Sequence, residues 1–331
     1  MPNLAIIIVS WNTRELLHRA IESVHASLAG AGVAYRIVVV DNASADGTPA
    51  MLRAEHPEVE LIESGGNLGF AGGNNLALRR ILNAEFKGMR YADDHTSTLD
   101  YVFLLNPDTE ALGDALPQLV SYLEAHPDVA VVGPRLVYPD GSVQPSRRRF
   151  PSRGVYFWES TPLEQRWPGN PWARRYRYAD APDDREQDVD WLVGAALLVR
   201  RTAIERAGLL DAGFQMYSEE LEWQRRIRRQ AAGRSAADCC RIVYLPTATI
   251  MHHEGKSSEQ APARRYLNFQ RSRLREAEQS YGARFAGRLR WFLRAAYAAE
   301  LATEAAKWLL GHKRQLRAAR VGVYWRVLRG L

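Results

Sequence analysis

The sequence predicts an α/β protein with a mostly parallel central sheet and a C-terminal helical extension. Two observations carry this. Over residues 1–135 short apolar runs alternate with amphipathic stretches, the pattern of right-handed βαβ units. From Ala261 onward the chain reads as helix throughout.

Leu4–Val9 is a strand because its apolar run is short and stops at Ser10-Trp11-Asn12; for the same reason it is not a secretory leader. Helices are expected over Thr13–Ala29, Gly47–Ala54, Gly73–Phe86 and Asp114–Ala125. Strands are expected over Arg36–Val40, Val59–Ile62, Tyr101–Leu105 and Val129–Val132. Lys87–Leu99 is polar, contains Asp93-Asp94-His95 and reads as an inserted surface loop. Leu136–Val143 reads as a hairpin around Pro139-Asp140-Gly141. Arg147–Asp188 is rich in Arg, Pro, Trp and Tyr without periodicity, and a long irregular stretch of this kind is usually functional or disordered. Trp191–Val199 is a further apolar run, Ser218–Gln230 a helix and Ile242–Leu245 a strand.

The 331 residues are 46% hydrophobic and 25% charged, an ordinary soluble composition. No stretch of about 18 apolar residues is present, so no membrane span is expected. The two cysteines are adjacent, Cys239-Cys240, which suits neither a disulfide framework nor a metal cluster and fits a reducing cytoplasm. The net charge of +6 belongs to the tail: Arg284–Leu331 carries a balance of +9, leaving the body at about −3. An acidic body without a nucleic-acid-binding motif argues against nucleic acid as a partner.

Five segments carry candidate chemistry. Leu104-Leu105-Asn106-Pro107-Asp108-Thr109 ends a buried strand in turn residues, presenting Asp108 where α/β sheets bind ligands. One carboxylate there suits a Mg²⁺ or Mn²⁺ ion that also binds phosphate oxygens; a solvated turn is the alternative. Val38-Val39-Val40-Asp41-Asn42 puts Asp41 at a strand end beside Ser10-Trp11-Asn12, where a carboxylate could accept from the N3–H of a pyrimidine. An Asx turn capping the next helix is the alternative. Ser218-Glu219-Glu220 sets two acids at a helix start, either as dipole-favoured residues behind a Ser218 N-cap or as a general base. His252 and His253 follow a strand-like run, and a neutral imidazole is a good ligand for Mn²⁺. The glycine-rich Gly65–Asn75 permits close backbone approach to a ligand but matches no phosphate-loop pattern.

V-S-W-N-T, V-V-D-N-A-S-x-D-G-T, N-x-G-F-A-G-G-N-N, L-L-N-P-D-T, W-L-V-G-A-A-L-L-V-R-R, M-Y-S-E-E-L-E-W and H-H-E-G-K-S-S occur in this order. Together they resemble family 2 inverting glycosyltransferases, particularly the bacterial rhamnosyltransferase-like branch, over about residues 4 to 275. The resemblance implies a nucleotide-sugar-binding glycosyltransferase A-type fold. It divides the chain into a catalytic domain, 1–260 (nucleotide-binding half about 1–135, acceptor half about 136–260), and a basic amphipathic extension, 261–331.

It also implies roles. Asp41 resembles the pyrimidine-binding acid, with Ser10, Trp11, Asn12, Asn42, Asn67, Gly69, Asn74 and Asn106 beside the nucleotide. Asp108 resembles the metal-binding acid of an Asp-x-Asp signature whose first position here is Asn106, and His252 the second metal ligand, with His253 as fallback. Glu220 matches the catalytic base, with Glu219 as the other candidate, and Trp191, Gly194 and Ala195 line the sugar and acceptor side.

The reaction implied is metal-assisted single displacement, moving L-rhamnose from dTDP-L-rhamnose, or a sugar from a UDP donor, to a glycan or lipid-linked hydroxyl. Arg271 is a phosphate-neutralising candidate, with a solvated helix face as the alternative. A non-catalytic nucleotide-sugar-binding protein would lack the acid or the base. A nucleotidyltransferase would need a basic glycine loop where Ser10-Trp11-Asn12-Thr13 stands.

The extension carries an apolar stripe (Leu289, Phe292, Leu293, Ala296, Ala299, then Leu316, Ala319, Val323, Val327), basic residues including Lys313, Arg317 and Arg320, and Trp291, Trp308, Tyr324 and Trp325. It is expected to dock on the anionic inner face of the cytoplasmic membrane. The same stripes could instead pack on the catalytic domain or on a second copy in a homo-oligomer.

Overall fold

The computed structural model describes residues 2–86, 99–229, 240–254 and 262–331. The expected inserted loop (all but Leu99), Cys239 and the Gly255-Lys256-Ser257-Ser258 part of the histidine motif lie outside the described residues. The chain forms two compact units: Met1–Phe150, Ala181–Gln215 and Glu219–Ser257 in the first, Pro151–Asp180, Met216–Ser218 and Ser258–Leu331 in the second. Residues 151–180 therefore group with the C-terminal helices, along a line different from a division at residue 260.

In the first unit β1 (Asn3–Ser10), β2 (Ala34–Asp41), β3 (Glu60–Glu63) and β4 (Tyr101–Leu105) form a parallel block in the order β3-β2-β1-β4. The apolar runs of β1, β4 and the second half of β2 are continuous because both faces are covered, and every residue of β4 is buried. The crossovers are α1 (Arg14–Leu28), α2 (Thr48–Glu55) and α3 (Gly69–Phe86). On α1, Leu17, Ile21, Val24 and Leu28 share one face and are at most 3% exposed, each burial stabilising by about 1.5–3 kcal/mol.

Beyond β4 come β5 (Thr109–Ala111), α4 (Ala115–Ala125), β6 (Val129–Val137), β7 (Val143–Gln144) and β8 (Arg147–Arg148). β7 pairs antiparallel with β6, which is the expected hairpin around Pro139-Asp140-Gly141. The second unit begins with α5 (Val155–Trp158), α6 (Pro162–Arg166) and α7 (Pro171–Tyr176), so much of the stretch expected to be irregular is short helices. The first unit resumes with β9 (Gln187–Asp188), β10 (Trp191–Leu192), β11 (Ala196–Arg200), α8 (Arg201–Ala207), α9 (Glu219–Arg229) and β12 (Arg241–His252).

β11 lies antiparallel between β4 and β6, and β12 runs parallel to β6 with β5 antiparallel at its far side. The result is a mixed sheet whose principal strands are mostly parallel. Two expected strands change length. The apolar run Trp191–Val199 is split, because Val193 N–H donates to Ser146 and the Ala195 carbonyl accepts from Asn106 N–H, outside the ladder. The strand expected to stop at Leu245 continues to His252, because a register shift between Leu245 and Thr249 absorbs Pro246.

The second unit adds α10 (Pro262–Tyr281), α11 (Ala283–Leu309) and α12 (Arg314–Gly330). Leu274, Ala277, Leu289, Leu293 and Val327 form its core with Tyr156, and Phe292 and Val323 pack against it. Much of the stripe expected to meet lipid is therefore internal. Arg317 is also withdrawn, with Nη1 on both carboxylate oxygens of buried Glu304 at 2.9 and 2.6 Å. Leu316 of that stripe stays exposed, as do Trp291, Trp308 and Trp325 and, at the α11–α12 turn, Leu309 and Leu310. No helix among the described residues is long and apolar enough to cross a membrane.

Candidate active site

Parallel register sets the carboxyl ends of the strands level: Ser10 pairs with Asp41, Asp41 with Glu63, and Ile8 with Leu105 just before the Asn106-Pro107-Asp108 turn. Polar residues at strand ends are thereby brought to one edge. The two first turns are stitched together. Asn12 N–H donates to Ser44 Oγ at 2.9 Å, Ala45 N–H donates to Asn12 Oδ1 at 2.7 Å, and Ser10 and Thr13 share a 2.9 Å hydroxyl contact. Asn12 and Ala43 take left-handed backbone, with φ of 52° and 61°, to hold these turns.

Asp41 is 2% exposed. Its Oδ2 accepts from Ser44 N–H at 3.0 Å, so the Asx turn exists, whereas buried Oδ1 has no partner among the described residues. The N-cap of α2 is Gly47, which has no side chain to offer, and Asp46 just before it accepts from the Thr48 N–H and hydroxyl. An unpaired buried carboxylate oxygen costs free energy until a donor reaches it, and an N–H of a bound ring would supply one.

Antiparallel pairing of β5 with β12 sets His252 opposite Thr109, and His253 N–H donates to the Asp108 carbonyl at 2.9 Å. His252 Nε2 then lies 3.3 Å from Asp108 Oδ1, both side chains being 7% exposed. That approach lacks hydrogen-bond geometry, and Nε2 has no other partner among the described residues. On the far side of the ring, Nδ1 lies 2.9 Å from Gln144 Oε1. His253 points elsewhere, with Nε2 on Glu110 Oε1 at 2.8 Å. One orphaned buried imidazole nitrogen facing one carboxylate is a donor set that fits Mn²⁺ or Mg²⁺, with the remaining positions left for phosphate and water.

Glu220 opens α9, where Glu219, Glu220 and Glu222 occupy the first turn. Ser218 does not cap it in the expected way: its φ is +66°, outside the extended region of an N-cap. Glu219 is buried. Glu220 is partly exposed, yet its Oε2 is buried without a partner among the described residues. Burial pushes the Glu220 carboxyl above the ordinary range, while the N–H groups of Glu220, Gly194 and Leu221 and the charge of Arg148 pull it back. A raised carboxyl is better matched to base work near neutral pH.

Gly194 explains itself here. A Cβ on it would meet Glu220 Cβ and Cγ at 3.3 Å, so the glycine makes room for that side chain. Gln224, wholly buried, bonds both the N–H and the carbonyl of Leu192 and clamps β10 to α9. With Asn106 N–H on the Ala195 carbonyl at 2.9 Å, a continuous set of contacts links the Asp108 turn to Glu220.

The remaining expected residues divide. Trp11 is half-buried in the first turn. Trp191 is buried, its indole N–H held by the Arg149 carbonyl. Asn42 knits the following loop, donating to the Gly69 carbonyl at 3.2 Å and accepting from Ser64 and Leu68. Asn67 accepts from Gly69 N–H at 3.0 Å, and Asn74 donates within its own helix to Phe70.

Two of the glycines, Gly69 and Gly73, serve packing between chain segments. A Cβ on Gly69 would lie 1.9 Å from the Gln215 carbonyl oxygen, and one on Gly73 2.6 Å from a Val9 methyl. The helix accordingly starts at Gly69, earlier than expected. Arg271 binds the Gly330 carbonyl at the end of α12. Sequence reasoning missed Gln144 and Gln224, each a polar residue next to an apolar one, and Arg148, the middle of three consecutive arginines. His25, His56 and Glu58 converge at the opposite edge of the sheet, where Tyr35 and His18 already bond the rings.

The family model described as Glycosyl transferase family 2 matches residues 5–206. The chain belongs to glycosyl transferase family 2. A 265-residue stretch is 31% identical to N-acetylglucosaminyl-diphospho-decaprenol L-rhamnosyltransferase of Mycobacterium tuberculosis, covering 79% of this chain and 80% of that protein. Identity to a low-salt glycan biosynthesis hexosyltransferase of Haloferax volcanii is 27%, over 70% of this chain and 63% of that one. Among solved structures, a mannosyltransferase from Pyrobaculum calidifontis in complex with GDP-Man and Mn²⁺ superposes with a TM-score of 0.53 at 17% identity. It covers 100% of this chain and 86% of its own. The fold is the nucleotide-sugar-binding A-type, and this family 2 member is a glycosyltransferase.

Proposed function

We propose that this glycosyltransferase moves L-rhamnose from dTDP-L-rhamnose to a hydroxyl of a cell-surface glycan or lipid-linked acceptor, with inversion at the anomeric carbon. The observation that carries the reading is the Asp108–His252 pair, two buried ligand atoms 3.3 Å apart at the strand-end edge that also holds Asp41. The rhamnosyl donor and the lipid-linked acceptor are supported by the 31% identity to the mycobacterial rhamnosyltransferase.

Asp41 Oδ1 accepts from the pyrimidine N3–H and orients the nucleotide. Asp108 and His252 would hold a divalent cation, Mn²⁺ or Mg²⁺, which supplies stabilisation of the charge on the leaving diphosphate. Glu220 takes the proton of the acceptor hydroxyl as its oxygen attacks the anomeric carbon from the face opposite the diphosphate. The bond to the diphosphate breaks, and the new bond has inverted configuration. A positioned base of this kind contributes about 10²–10⁴-fold.

The reading extends to location. Trp308, Leu309 and Leu310 are exposed beside the exposed Lys313 and Arg314, a composition suited to reversible docking on anionic lipid, where each basic residue adds about 1 kcal/mol. The enzyme would then meet a lipid-linked acceptor from the inner face of the membrane.

The test is incubation of the full chain with dTDP-, UDP- and GDP-sugars and Mn²⁺, following nucleotide release with and without a diphospholipid-linked N-acetylglucosamine. Acceptor-stimulated turnover of dTDP-L-rhamnose is expected. Turnover of UDP- or GDP-sugars with none of dTDP-L-rhamnose would overturn the donor assignment.

A further inference from the structure

Gln144 lies in β7, held beside Leu136 of β6 by antiparallel pairing, and is 6% exposed. A buried glutamine needs partners on both ends of its amide. Its Nε2 donates to Glu254 Oε2 at 2.9 Å, and the same carboxylate oxygen receives the Tyr138 hydroxyl at 3.0 Å. An ionised carboxylate only accepts, so this contact fixes which end of the amide is nitrogen. Oε1 is then the end 2.9 Å from His252 Nδ1. Because Oε1 can only accept, Nδ1 carries a ring proton, and in the neutral imidazole, the form that ligates a cation, Nε2 is then the lone pair. That lone pair is the atom facing Asp108 Oδ1 at 3.3 Å without a hydrogen bond.

We propose that Gln144, oriented by Glu254, is a positioning residue that locks His252 in its Nδ1–H tautomer and so keeps Nε2 available to a divalent cation. The inference rests on the cation reading of Asp108 and His252 given above and extends it outward by two residues. Without the acceptor at Nδ1, the ring is free to put its proton on Nε2 and donate to Asp108, which would occupy both ligand atoms with each other. Partners that orient a liganding imidazole typically contribute about 10–100-fold in metal affinity. Glu254 acts one bond further out and is exposed, so its removal should weaken affinity by less.

The experiment uses the full chain, titrated with Mn²⁺ alone and read by water-proton relaxation enhancement, for the wild type, His252→Ala, Gln144→Leu and Glu254→Gln. Long-range ¹H–¹⁵N spectra of histidine-labelled protein, with His252 assigned by its loss in His252→Ala, report the tautomer directly. Gln144→Leu is expected to weaken Mn²⁺ binding about 10–100-fold and move the His252 signals away from the Nδ1–H pattern. Glu254→Gln, at an exposed position, should give a smaller change of the same sign and serves if Gln144→Leu does not fold. If His252→Ala leaves Mn²⁺ affinity unchanged, the cation reading itself fails. If His252→Ala weakens binding while the Gln144 and Glu254 variants keep wild-type affinity and tautomer, the orienting role is overturned and the cation site stands.

Discussion

Gly194→Ala tests the site through a single methyl group. The new Cβ would stand 3.3 Å from Glu220 Cβ and Cγ and 3.6 Å from Cδ, whereas carbon contacts settle at about 3.5–4.0 Å. Gly194 does not have positive φ, so alanine is acceptable to the backbone and the strain falls on the Glu220 side chain. That side chain must retreat by a few tenths of an ångström. A misplacement of about 1 Å can cost about 10²-fold, so a shift of this size should lower kcat by roughly 3–10-fold. Donor affinity should hold, because the groups proposed to bind it, Asp41, Asp108 and His252, are untouched.

The assay is release of dTDP from dTDP-L-rhamnose at saturating acceptor, with donor Kd measured separately by calorimetry. Glu220→Gln provides the reference, with an expected loss of about 10²–10⁴-fold and unchanged donor Kd. The decisive comparison is the double variant. If Gly194 acts through Glu220, adding Gly194→Ala to Glu220→Gln should cost little more, as coupled neighbours do not add. A full additional loss in the double variant, or weakened donor binding in Gly194→Ala alone, would refute the reasoning.

Asp108→Ala should abolish transfer and metal-dependent donor binding while circular dichroism and Tm stay near wild type, and EDTA should silence the wild type; undiminished turnover in EDTA would sink the cation's role. The base works deprotonated, so activity falls as pH drops through the Glu220 pKa, which burial raises and Arg148 lowers. The acid limb of kcat/KM should therefore lie above the usual carboxylate range and move to higher pH in Arg148→Met; a limb that stays put or moves down contradicts the assignment. Replacing Trp308, Leu309 and Leu310 together by serine should reduce flotation with anionic liposomes while leaving soluble-acceptor turnover intact. Equal flotation of both proteins, or none by either, argues against docking.

The nucleotide-side strands were legible because β1, β2 and β4 are apolar runs broken by turn residues; Asp41 and Asp108 stood out as carboxylates at the ends of β2 and β4, and His252 as a ligating group at the end of β12. Register did the rest, since Ser10 pairing with Asp41 follows from parallel packing of those runs. Other features were hidden for physical reasons. Pro246 reads as a strand end, yet a bulge absorbs it. Helices of four to six residues in 155–176 are too short to display a period. The apolar stripe of α11 indicates burial without naming the surface that covers it, and Leu289 and Leu293 went to an internal core. Gln144 and Gln224 matter through contacts 108 and 32 residues away in sequence, which no local pattern reveals.

The most direct test of the account is the stereochemistry of the product. Full-length protein with dTDP-L-rhamnose, Mn²⁺ and a diphospholipid-linked N-acetylglucosamine should yield a rhamnoside whose one-bond C1–H1 coupling reports the anomeric configuration opposite to the donor's. A product with the donor's configuration would contradict single displacement with Glu220 as the base.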